Sequence, residues 1–219
     1  VDVNVPGVYV VTYTSTDASN NQSTASRTVT IVDSIDPALT VGDINVNTDA
    51  DVCGATIASF GASATDASGA PSIVFDVPEG TLFSVGTTAV TATATDANNN
   101  VSTATFNVNV SDVEAPVITT QGATVQLNQN GFGSIILGDI LLSSSDACGI
   151  ASEVASQLSF DCTNVGANAV TITVTDNNGQ ITQQTVNVQV LDVLPIIAEA
   201  DSFTLNTCEP ITFTTADLL

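Results

Sequence analysis

The sequence predicts an all-β protein built of tandem sandwich units, each about 80 residues long. Three observations predict it. The chain is 43% apolar with mean hydropathy +0.34, and its Val, Ile, Ala and Leu alternate with Thr and Asn, the composition of half-buried pleated strands. An acidic turn recurs: TDASNN at 16–21, TDANNN at 95–100 and TDNNGQ at 175–180. The flanks recur in register, because Gly7, Gly86 and Gly166 precede Asp17, Asp96 and Asp176 by one common offset, and these precede Asp33, Asp112 and Asp192 by another. Three copies that share both offsets make an internal repeat.

The elements follow in order. VYVVTYTS (8–15) and ASRTVTIV (25–32) flank the first acidic turn with period-two alternation, the signature of a hairpin. In the next unit VGDINVN (41–47) reads as a first strand, ATIASFGAS (55–63) as a second and SIVFDV (72–77) as a third. The hairpin TTAVTATA (87–94) and TATFNVNV (103–110) closes that unit. The pattern returns as ATVQLNQ (123–129), GSIILGDI (133–140), SEVASQL (152–158), then ANAVTITV (167–174) and QQTVNVQV (183–190). Six or seven short strands in about 80 residues predict an immunoglobulin-like β-sandwich. After each return strand an Asp and a Pro follow, in VDSIDP, SDVEAP and LDVLP, and Pro ends pairing and stiffens the linker. These boundaries predict complete units at 36–114 and 115–193. Residues 1–35 read as the C-terminal hairpin of a preceding unit, and 194–219 as the N-terminal strands of a following one, a window on a longer array.

Charge narrows the function. Twenty-three acidic residues face a single base, Arg27, with no His, for a formal net charge of −22. Nucleic acid is excluded as a partner, since phosphate binding runs on Lys and Arg, and an anionic membrane surface is equally unfavourable. No apolar run approaches the length needed to span a membrane. The first residues, VDVNVPGVYVV, lack a basic n-region, so the chain reads as a mature segment. An enzyme is not expected: triads need a base such as His, and phosphoryl transfer needs Lys or Arg clamps. Paired carboxylates could hydrolyse glycosides, but there is no Trp to stack a sugar and the carboxylates recur by module. The Thr-x-Thr runs TATAT, TITVT and TYTST return once per unit, too sparsely for a flat ice-binding rank.

Self-repulsion on this scale calls for cations. In a sandwich of this kind one end gathers the incoming linker and two turns. One junction is expected to join Asp33, Asp36, Asp66 and Asp96, and the next Asp112, Glu114, Asp146 and Asp176. Carboxylates with turn carbonyls and Asn side chains are the oxygen ligands that Ca²⁺ takes, about 6 to 8 per ion. Ordinary turn chemistry is the competing reading, because Asp and Asn bond their own backbone two residues on, and no full EF-hand loop is present. Either way a turn written once per module is module hardware, where a catalytic centre would be a single constellation.

Four cysteines remain. Laying one unit over the next sets Ser68 against Cys148 and Leu82 against Cys162, so one unit has both members and the other neither, which predicts a Cys148–Cys162 disulfide and an oxidising exterior. Zinc is not expected, with no CxxC and no His.

GTTAVTATATDANNN (86–100), the SDVEAP linker, and SSDACGI (144–150) followed by SFDCTNVG (159–166) resemble the HYR (hyalin-repeat) and related immunoglobulin-like repeats of very large bacterial surface adhesins, those of gliding motility among them. The resemblance implies a secreted, extracellular filament on a bacterial cell surface, serving as a stalk or as a directly adhesive module. Its partners would be neighbouring repeats of the same chain and surface glycans or other surface proteins. In such units a cysteine placed like Cys53 pairs with one on a later strand, yet Phe75 occupies that region, so a free buried thiol is the alternative. Cys208 reads as an orphan.

Overall fold

The computed structural model describes residues 5–192, together with the backbone of two short strands at Ile197–Glu199 and Ser202–Thr204. The chain divides into two compact units, Val1–Ser111 and Asp112–Leu219. Among the described residues all regular structure is strand except two three-residue 3₁₀ turns, so no helix is long and apolar enough to cross a membrane.

The first unit opens with β1 (Gly7–Thr16) and β2 (Gln22–Ile31), an antiparallel hairpin in full register from Gly7↔Ile31 to Thr16↔Gln22. It forms a two-stranded sheet of its own. Then come β3 (Ala38–Thr40), β4 (Ile44–Asn47), β5 (Gly54–Thr56), β6 (Ser63–Thr65), β7 (Ser72–Phe75), β8 (Leu82–Ser84), β9 (Gly86–Thr95) and β10 (Val101–Ser111). One layer is a sheet of order β4-β10-β9-β7, in which β4 runs parallel to β10; β3 pairs with β6 and β5 with β8.

Period-two alternation builds the core. Val90, Ala92 and Ala94 of β9 and Phe106, Val108 and Val110 of β10 are buried, while Thr91 and Thr105 face out and meet hydroxyl to hydroxyl at 3.4 Å. Ala55, Ile57, Phe60 and Phe83 cover these side chains from the other layer. Phe60 is the hub, with edge-on contacts to Phe75, Phe106 and Phe83 at centroid distances of 4.8, 5.4 and 6.0 Å. Each fully buried Val or Phe contributes about 1.5–3 kcal/mol.

The second unit repeats the plan with β11 (Val117–Thr120), β12 (Ala123–Gln126), β13 (Phe132–Ser134), β14 (Leu141–Ser145), β15 (Ile150–Ala155), β16 (Ser159–Asp161), β17 (Gly166–Asp176) and β18 (Ile181–Leu191). Its sheet order is β12-β18-β17-β15, again with a parallel edge strand, and β11 pairs with β14 and β13 with β16. Val170, Ile172, Val174, Val186, Val188 and Val190 pack against Val125, Leu127, Ile140 and Phe160. The fold is all-β and immunoglobulin-like, as the strand pattern predicts.

The short strands and the cysteines differ from the sequence reading: the expected strand 55–63 falls across β5 and β6, the expected strand 133–140 holds a 3₁₀ turn at Leu137–Asp139, and β8, β14 and β16 were not anticipated. The expected first strands, 41–47 and 123–129, hold β4 and β12, but a short strand not anticipated, β3 or β11, precedes each and pairs in the other layer, so the chain crosses between layers from β3 to β4 and from β11 to β12. At the second crossing the backbone comes so close that a Cβ on Gly122 would meet the Asn187 carbonyl oxygen at 2.7 Å, so the site takes glycine. The Cys148–Cys162 pairing is also corrected. Cys162 precedes β17, beside the Gly131 carbonyl, while Cys148 lies beyond its far end, where the Asn177 amide donates to the Cys148 carbonyl at 2.8 Å. Ten strand steps separate these ends, about 33 Å, and bonded cysteines hold their Cα atoms within about 7 Å. Cys53, Cys148 and Cys162 are all disulfide-bonded, which removes the free-thiol reading of Cys53; Cys208 lies outside the described residues.

Candidate metal sites in the acidic turns

Asp17, Asp96 and Asp176 stand where β1, β9 and β17 turn into their return strands, and all three tie the turn in the same way. The Oδ1 of Asp17 accepts from the backbone N–H of Ser19 and Asn21 at 2.8 and 2.9 Å. That of Asp96 accepts from Asn98 and Asn100 at 2.8 and 2.7 Å, and that of Asp176 from Asn178 and Gln180 at 2.8 Å each. The chain reverses through positive φ at Asn20 (70°), Asn99 (68°) and Gly179 (92°), which is why Asn or Gly stands there. The side-chain and backbone bonds from Asn21 hold the Asp17 carboxyl below its ordinary value.

Asp33, Asp66, Asp112 and Asp146 make the same two-residue bond, from Ile35, Ser68, Glu114 and Cys148 at 3.0, 2.7, 3.1 and 2.7 Å. Turn chemistry therefore occupies one oxygen of each carboxylate. It does not account for the other oxygen everywhere: Asp33 Oδ2 and Asp176 Oδ2 are buried without a hydrogen-bond partner.

The folded units then gather these groups. In the first, Asp33 from the linker before β3, Asp66 from the β6–β7 turn and Asp96 from the β9–β10 turn each bring one carboxylate oxygen within 4.8 Å of the others. Asp96 is 7% exposed, and the Asn100 amide bridges its Oδ2 at 2.7 Å to the Asp33 carbonyl at 3.4 Å. The hydroxyl and backbone N–H of Ser68 hold the Asp66 carboxyl below its ordinary value, with burial opposing them. In the second unit Asp112, which follows β10, and Asp146, from the β14–β15 turn, approach to the same limit together with Cys148. A disulfide sulfur carries no charge and is soft, so it does not complete a site for a hard cation. The carboxylate pair is what remains.

Of the expected ligands, then, Asp33, Asp66 and Asp96 come together, and so do Asp112 and Asp146. Asp36 is exposed and outside the first group, and the Glu114 and Asp176 carboxylates lie outside the second. Cys148 was not anticipated there; its place two residues after Asp146 is the signal that could have put it in that turn. Oxygens on opposite sides of one Ca²⁺ stand about 4.8 Å apart, so the donor type and spacing of the first group fit that ion.

Comparison with known proteins follows the same lines. Residues 37–110 match the HYR domain family. The chain is 33% identical over 193 residues to "Hyalin" of Lytechinus variegatus, covering 84% of this chain and 36% of that protein. It is 29% identical over 194 residues to "Hyalin" of Strongylocentrotus purpuratus, covering 84% of this chain and 16% of that protein. To the "Serine-rich adhesin for platelets" of Staphylococcus aureus (strain MRSA252) it is 33% identical over 131 residues, 55% of this chain and 10% of that protein. The chain thus spans little more than a third of the length of these relatives, or less. The span 37–110 is thus similar to an HYR domain.

Proposed function

We propose that the chain is a spacer segment of an extracellular cell-surface adhesion protein, a filament of tandem sandwiches whose acidic turns bind Ca²⁺ and restrict bending. The observation that carries this reading is the recurrence of one carboxylate arrangement: a linker Asp (Asp33, Asp112) beside a turn Asp (Asp66, Asp146) in each unit. Hardware repeated with the module suits a mechanical role. The kinship with hyalin and with a platelet adhesin, neither named for an enzyme, supports an adhesive context. A bacterial surface and a part in gliding motility are the finer form of the proposal, resting on the resemblance of the repeats.

A directly adhesive module is the second reading, and one observation favours it. The outer faces of the four-stranded sheets are uncharged ladders of hydroxyls and amides, with Thr87 bonded to Asn109 at 2.7 Å, Asn109 to Asn45 at 3.0 Å and Thr171 to Thr185 at 3.1 Å. Such a face could hydrogen-bond a glycan or a surface protein. Beads coated with the chain separate the two: a spacer leaves them as non-adherent as albumin-coated beads, whereas adhesion abolished by changes on the Thr and Asn ladder would establish the second reading.

A further inference from the structure

We infer that the apolar face of the β1–β2 hairpin is a docking surface for a second copy of this chain, whose residues 194–219 supply the strand and the covering layer that the hairpin lacks. The hairpin is the counterpart of β9–β10 and β17–β18, yet its sheet stops at two strands where each of theirs has four. In those sheets β4 lies parallel along β10 and β12 along β18, and among the described residues no strand lies along β2. The repeat sets Val11, Val29 and Ile31 in register with Val90, Val108 and Val110, which are buried. On the hairpin these three are only partly buried, and Tyr13, in register with buried Ala92 and Ile172, is 56% exposed. Core positions without a second layer leave water against apolar surface that the other two hairpins bury.

The C-terminal sequence matches what is missing. One common offset lays Phe203, Leu205, Phe213 and Leu218 without a gap over Val125, Leu127, Ile135 and Ile140, which pack on β17–β18 in the second unit. The same offset lays Asn206 and Asp217 over Asn128 and Asp139. The backbone at Ser202–Thr204 is strand, as β12 is, but it pairs with Ile197–Glu199, whereas β12 pairs with β18. A hairpin of the β17–β18 kind is therefore the partner this segment calls for, and β1–β2 is one. Charge agrees. Arg27, the one base of the chain, stands on the same hairpin face in register with buried Phe106 and Val186, where a guanidinium needs a carboxylate once it is covered. Residues 194–219 carry Glu199, Asp201, Glu209 and Asp217 and no base. By the register of β12 on β18, Phe203 of one copy comes to lie beside Ile31 of the next. Face and segment are different surfaces, so the contact is heterologous and repeats head to tail, joining chains end to end.

The test is sedimentation velocity of the whole 219-residue chain over a concentration series at physiological salt, run in EDTA so that bound calcium plays no part. Val29→Asp blocks the hairpin face, with Tyr13→Glu as a second variant of that face, and Leu205→Asp blocks the C-terminal segment. The wild type should form oligomers that lengthen with concentration. Each variant alone should associate more weakly by about 100-fold or more, because either end of the contact is then spoiled in every copy. An equimolar mixture of Val29→Asp and Leu205→Asp should give a heterodimer and nothing larger, since only one intact face meets one intact segment. Thermal unfolding of the two complete units, followed by circular dichroism, should be unchanged in every variant. A wild type that stays monomeric at every concentration, oligomers that survive the substitutions, or a mixture that stays monomeric would overturn the inference.

Discussion

Removing the charge of Asp96 is expected to have opposite consequences with and without calcium. Asp96 is 7% exposed, and one of its oxygens lies within 4.8 Å of one from Asp33. Two unit charges at that separation repel by about 3 kcal/mol at an effective dielectric of about 20. The Asp96→Asn side chain would relieve that repulsion and keep an acceptor for the N–H groups of Asn98 and Asn100, but it would lose the bond from the Asn100 amide, worth about 1.5–3 kcal/mol to a charged acceptor. In chelator the two effects nearly offset, and Asp96→Asn should unfold within a few degrees of wild type. At Ca²⁺ about 100-fold above Kd the wild-type unit gains about 2.7 kcal/mol, about 10–20 °C for a unit of this size, and the variant gains little. Differential scanning calorimetry in EDTA and in millimolar Ca²⁺ reads both states. A variant that keeps the full calcium shift would refute the argument.

Two further outcomes follow from the packing and the turns. Phe60→Ala empties the hub among Phe75, Phe83 and Phe106 and should cost about 3–5 kcal/mol, lowering the urea midpoint of the first unit and leaving the second unchanged. Asp161, which caps the turn at Cys162–Asn164, is held below the ordinary aspartate value of 3.8, first by the Thr163 hydroxyl and then by its backbone N–H. Its folded pKa being the lower, the unfolded chain binds more protons as pH falls. Its contribution is therefore complete above about pH 4 and lost as pH drops through the folded value. Urea unfolding in EDTA from about pH 6 to about pH 2.5 should show a shallower acid loss for Asp161→Asn than for wild type.

The long strands were legible because ten or eleven residues of strict alternation, as in Gly86–Thr95 and Ile181–Leu191, leave little ambiguity about which face is buried. Three-residue strands such as Leu82–Ser84 and Phe132–Ser134 are too short for a period to show. The strand crossing at Gly122 depends on a close approach to Asn187, far along the chain, which no local window contains. Repeat register located the acidic turns and brought Asp33, Asp66 and Asp96 into one group. It failed for the cysteines, because shared presence in one unit says nothing about which end of a strand each occupies. The aligned turns also differ in a way their shared register does not show: the Asn100 amide reaches Asp96 Oδ2, while Asp176 Oδ2 is buried without a partner.

The most direct test of the central claim is thermal unfolding of the whole chain in excess EDTA and in millimolar Ca²⁺, with Mg²⁺ and NaCl at matched ionic strength. Cation-bound turns predict midpoints raised by several degrees with Ca²⁺ alone, because an ion that binds only the folded form stabilises it by mass action. Equal midpoints in all four solutions would contradict the account, reducing the repeated aspartates to turn formers.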